Sequence, residues 1–71
     1  MNKERRKRIL DAIKRIEDVV QDILDDEVEA YDNIPESLQE SDNAIASEEA
    51  QENLDAAIEA LEEAISYLED I

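Results

Sequence analysis

Apolar positions recur along the last third of the chain, from Leu54 to Ile71, at alternating spacings of four and three: Leu54, Ile58, Leu61, Ile65 and Leu68. That spacing places all five on one stripe of an α-helix. Ala56, Ala57, Ala60 and Ala64 widen the stripe into a band, and alanine both favours the helix and lets a second backbone come close. A band of this width cannot be covered by its own helix. The first part of the chain follows the same rule, with Ile9, Ile13, Ile16, Val20, Ile23 or Leu24, Val28 and Tyr31 at helical spacing and Leu10 and Val19 beside them. This predicts an amphipathic helix over about residues 2–31, roughly 40 Å long at about 1.5 Å per residue.

Between these segments the pattern breaks at Tyr31-Asp32-Asn33-Ile34-Pro35-Glu36-Ser37-Leu38-Gln39. Pro35 disfavours the α conformation at Ile34 and suits the first position of a new turn. A short helical turn over 35–39 is therefore expected, with Ile34 and Leu38 folding down over the open end of the helix pair. The second helix starts between Ser41 and Ser47, either of which can cap it with acidic residues following; an early start near Asp42 is preferred. The expected organisation is a single domain over residues 1–71: helix 1 about 2–31, a connection over 32–41, and helix 2 about 42–70. The fold class is all-α, an antiparallel helical hairpin assembling into a homo-oligomeric helical bundle.

Composition strengthens the expectation of self-association. A chain of 71 residues seldom builds a sufficient core alone, and it has no Cys or His with which to add a disulfide or the usual transition-metal site. Its apolar residues include many alanines and no Phe or Trp, so the core seam is left to Ile13, Ile16, Val20, Leu54, Ile58, Leu61, Ile65 and Leu68. No apolar run is long enough to cross a bilayer, and Asp11, Lys14 and Arg15 interrupt any signal-peptide core after Ile9-Leu10. A cytoplasmic location is expected, with no membrane contact.

Charge is distributed very unevenly. The net charge is −15, yet all seven cations, Lys3, Arg5, Arg6, Lys7, Arg8, Lys14 and Arg15, fall in the first fifteen residues, and no positive charge follows. Antiparallel packing brings this basic start to the acidic end of helix 2, where Glu59, Glu62, Glu63, Glu69 and Asp70 can neutralise it. Within helix 1, Glu4 with Arg8 and Asp11 with Arg15 are expected as i, i+4 pairs. The opposite pole, carrying Asp22, Asp25, Asp26, Glu29, Asp32, Glu48, Glu49 and Glu52, has no cation to answer it.

The segment YDNIPESLQES, followed by EEAQENLDAAIEALEEAISYLEDI, resembles small acidic proteins of bacteriophages and of prophages in anaerobic and Gram-positive bacteria. These pair a basic N-terminal helix, a Pro-Glu-x-Leu-Gln connection and a Leu-Glu-x-Ala-Ile repeat. The resemblance implies a phage-borne accessory protein in the host cytoplasm. It carries over no functional residue.

Three constellations are candidates for chemistry. Asp22 with Asp25, Asp26 with Glu29 and Glu49 with Glu52 are i, i+3 carboxylate pairs of the kind that place Mg²⁺ in helical nucleotide hydrolases. Basic and aromatic residues to hold a nucleotide are missing beyond Arg15, so a solvated face is preferred, and no enzyme, cofactor or metal is expected. Lys3, Arg5, Arg6, Lys7, Arg8 and Arg15 can either bind an anion or neutralise helix 2. With no aromatic beside them to stack on a base, neutralisation is preferred and direct DNA binding is not expected. Tyr31 and Tyr67 are the only aromatics and are read as structural, Tyr67 as a subunit contact.

The leading expectation is a protein–protein interaction module: an oligomer of this chain, a homodimer or larger. Its acidic surface imitates nucleic acid and engages a basic or nucleic-acid-binding host protein, as an inhibitor or anti-defence factor does. The alternatives are an oligomeric sponge for a small anionic nucleotide, bound by the N-terminal Arg and Lys residues, and a purely structural assembly protein.

Overall fold

A computed structural model describes all residues, 1–71, and contains two long helices, α1 over Lys3–Asp32 and α2 over Asp42–Glu69, joined through a 3₁₀ turn over Glu36–Leu38. Asn2 caps α1, its Oδ1 accepting a 2.8 Å hydrogen bond from the Arg5 N–H, which satisfies one of the amides that a helix start leaves without a partner. The helix closes where the Asn33 N–H donates to the Glu29 carbonyl at 3.1 Å and the Ile34 N–H to the Tyr31 carbonyl at 3.0 Å, just before Pro35. Ser41 caps α2, Oγ accepting from the Ala44 N–H at 3.3 Å, so the earlier of the two serines starts the helix.

The connection differs from expectation in one respect. Ile34 is half-buried, but Leu38 is 53 % exposed and does not close the end of the hairpin. A 3₁₀ turn stacks residues three apart, which aligns Leu38 with Pro35; an α-turn would have aligned it with Ile34. The Leu38 N–H donates to the Pro35 carbonyl at 2.8 Å accordingly.

α1 and α2 pack against each other antiparallel. Near the turn the Tyr31 hydroxyl donates to Glu48 Oε1 at 2.6 Å, and at the far end the Arg6 guanidinium donates to the main-chain oxygen of Ile71 at 2.7 Å. These two bonds set a register in which Leu24 stands opposite Leu54 and Glu17 opposite Leu61. The shared seam follows a seven-residue repeat in both helices: Arg6, Leu10, Ile13, Glu17, Val20, Leu24, Glu27 and Tyr31 on α1, Ala44, Ser47, Gln51, Leu54, Ile58, Leu61, Ile65 and Leu68 on α2, none of them exposed. Of the residues expected in the seam, Ile16 is the exception, 52 % exposed. It lies one position before Glu17, about 100° around the helix from the line facing α2.

The hairpin is thin. Its only buried residues are Leu24, Ala44, Ile58 and Ser47, and no large side chain is fully enclosed. Extents of 56 × 15 × 11 Å and a radius of gyration of 16.3 Å describe a rod, whereas a globular chain of this length has a radius of about 11 Å. Its accessible surface of 5518 Å² exceeds by about 1,000 Å² what a compact monomer of 8.1 kDa exposes.

Candidate interaction surface

The hairpin gathers carboxylates from both helices and the connection around its turn. Asp22, Asp25, Asp26, Glu29 and Asp32 on α1, and Glu48, Glu49 and Glu52 on α2, are all exposed. Between Glu17 and Glu59 the chain carries sixteen acidic residues and no basic one. The antiparallel fold compresses that segment into about half of the 56 Å rod, roughly one negative charge per 1.8 Å of axis, against about 1.7 Å for double-stranded DNA.

Little inside the molecule answers this charge. Gln21 Nε2 donates to Asp25 Oδ1 at 3.0 Å, and Tyr31 donates to Glu48. The second bond, with the Glu48 charge and that of Asp32 behind it, holds the Tyr31 phenol above its ordinary pKa, because ionisation would break the bond and set like charges together. At the edge of the seam Glu17 Oε2 is buried with no hydrogen-bond partner. No group of three carboxylates converges in a geometry able to hold a metal ion. The i, i+3 pairs Asp22/Asp25, Asp26/Glu29 and Glu49/Glu52 thus lie along the helix surfaces as separate exposed charges.

The basic cluster divides between two sides of α1. Arg5, Arg8 and Arg15 border an open concavity of about 840 Å³ together with Met1, Ile9, Asp11, Ala12 and Ile13. Lys3, Arg6, Lys7 and Lys14 line a smaller one of about 270 Å³ with Leu10 and Asp11. Charge neutralisation across the hairpin is less specific than expected. The sole ion pair is Lys7 Nζ to Asp11 Oδ2 at 2.9 Å, within α1, and it replaces the expected pairs of Glu4 with Arg8 and Asp11 with Arg15. That hydrogen bond from Lys7, reinforced by the charges of Arg15 and Lys14, holds the Asp11 carboxyl below the ordinary range. Only Arg6 reaches the end of α2, through a main-chain oxygen and not a carboxylate side chain.

Arg6, Glu17, Glu27 and the Tyr31–Glu48 bond were not singled out by apolar spacing, since charged residues are read as solvent-facing. The signal was present: counting in sevens from Leu10 to Leu24 passes through Glu17, and extending the Ile13–Val20 column by seven in either direction reaches Arg6 and Glu27. Tyr67 is 67 % exposed, and its hydroxyl reaches only Glu63 on the same helix, at 3.4 Å. Neither helix is long and apolar enough to cross a membrane. The fold and surface together define an acidic two-helix hairpin. No protein-family model matches the chain, and neither curated proteins nor solved structures include a match.

Proposed function

We propose that this chain is a protein–protein interaction module, self-associated as a dimer or larger bundle, that presents its carboxylate-dense pole to a basic, nucleic-acid-binding protein. The observation that carries the proposal is the charge spacing of the turn-proximal half, close to that of duplex DNA and borne on two helices whose relative position is held by Tyr31–Glu48. A binding groove evolved for the phosphate backbone recognises charge density and geometry, which carboxylates on a rod supply without bases. The resemblance to small acidic phage and prophage proteins supports a phage-borne accessory role, as an inhibitor or anti-defence factor acting in the host cytoplasm. Anion sequestration by the N-terminal cations has weaker support, because on one copy they divide between two sides of α1.

Immobilised protein is expected to retain nucleic-acid-binding proteins from host lysate at low salt and to release them when duplex DNA is added as competitor. The variant Asp25→Asn, Asp32→Asn, Glu49→Gln, Glu52→Gln, all at exposed positions, should lose this retention. Identical retention by wild type and variant, or indifference to DNA, would remove the acidic pole from any role in recognition.

A further inference from the structure

Beside the seam buried against α2, α1 carries a second line of apolar residues at the same alternating spacing: Ile9, Ala12, Ile16, Val19 and Ile23. Nothing in the hairpin covers its middle, where Ile16, Val19 and Ile23 are 52, 56 and 50 % exposed. We propose that this line is the docking face for a second copy of the chain, joined antiparallel, α1 to α1, about a twofold axis between Ile16 and Val19. This rests on the self-association named above and specifies its face and direction.

The residues flanking the line carry the argument. The column immediately beside it, on the side away from α2, reads Arg8, Arg15, Asp22, Glu29 at intervals of seven, all exposed. Two cations followed by two anions form a self-complementary code. In an antiparallel pair centred on the apolar line, Arg8 of one copy meets Glu29 of the other and Arg15 meets Asp22, and the twofold repeats both. Four opposite-charge pairs result from residues that have no partner in the hairpin. A parallel pair sets Arg8 beside Arg8 and Glu29 beside Glu29, and the charges reject it.

The area agrees. The surface exposed beyond that of a compact chain, about 1,000 Å² per copy, is close to the roughly 800 Å² that each partner buries in a stable interface. Asp25, Asp32, Glu48, Glu49 and Glu52 are not used by this contact, so the pair of hairpins still offers acidic surface to another protein.

Sedimentation equilibrium of the full chain is expected to show a dimer. Arg8→Glu with Arg15→Glu should weaken it by about tenfold or more, as should Asp22→Arg with Glu29→Arg, because each creates like-charge contacts. These four positions are exposed, so circular dichroism should report an intact hairpin in both variants. Mixing the two variants in equal amounts should restore dimerisation as a heterodimer, and Ile16→Glu should leave helical monomers. A wild-type monomer would overturn both self-association and this face. A dimer indifferent to the charge reversals and to Ile16→Glu would overturn this face alone and leave self-association standing.

Discussion

The part of the hairpin between the chain ends and the level of Leu24 and Leu54, and the part beyond it at the turn, share one seven-residue repeat and fill it differently. In the longer part, Leu10, Ile13, Val20 and Leu24 face Leu54, Ile58, Leu61, Ile65 and Leu68, with Arg6 and Glu17 set among them; at the turn, Glu27 and Tyr31 face Ala44, Ser47 and Gln51. Branched aliphatic side chains gain transfer free energy in proportion to the area they lose to water. Small and polar ones gain close approach and hydrogen bonds, here Tyr31 to Glu48 and Gln51 Nε2 to Ser47 Oγ at 3.4 Å. The longer part therefore holds the helices together, while the part at the turn holds them in position under the repulsion of the surrounding carboxylates.

The contrast breaks most severely at Ile58, the most buried large aliphatic residue of α2. Ile58→Asp places an unpaired charge in the apolar part at a cost of about 3–5 kcal/mol, more than so thin a fold can lose, and far-UV circular dichroism should show helix content collapsing at room temperature. Ser47→Ala, in the part at the turn, should cost less than about 1 kcal/mol in the same measurement. Equal losses at the two sites would erase the distinction. A smaller effect of opposite sign is expected at Glu17, whose buried Oε2 has no partner where the seam meets Leu61. Glu17→Leu should raise the melting temperature, with a gain of about 1–3 kcal/mol from removing the unsatisfied group.

The smallest effect sharpens the part at the turn alone. Because the hydrogen bond to Glu48 raises the Tyr31 pKa, the folded chain retains the phenolic proton at pH values where the unfolded chain has released it. The contribution is complete below the ordinary tyrosine value of about 10 and is lost as pH rises through the higher folded value. Thermal melts across the alkaline range should show wild type losing its advantage over Tyr31→Phe. Parallel curves would mean that the Tyr31–Glu48 bond adds nothing to stability.

Much of this was legible in the chain. Pro35 announced the end of α1, Ser41 the start of α2, and Leu54, Ile58, Leu61, Ile65 and Leu68 marked the packed face of α2, since that helix has one dominant aliphatic line. α1 was harder because it has two. Leu10, Ile13, Val20 and Leu24 form one line, Ile9, Ala12, Ile16, Val19 and Ile23 the other, and spacing counted over all of them merges both into a single broad face. The acidic pole was readable as composition, while its density along the axis required knowing that residues 17 and 59 lie at nearly the same height.

Local preference and periodicity are properties of neighbouring residues, so the order of amino acids alone determined two amphipathic helices, the break between them and the separation of charge along the chain. Which of the two lines on α1 turns toward α2 depends on how both helices fit together over their whole length. Only the tertiary structure decided that Glu17 enters the seam, that Ile16 is left to solvent, and that Tyr31 finds Glu48. Packing selects among faces that local chemistry leaves nearly equivalent, because the free energy of a seam is a sum over all its contacts and not a property of any single position.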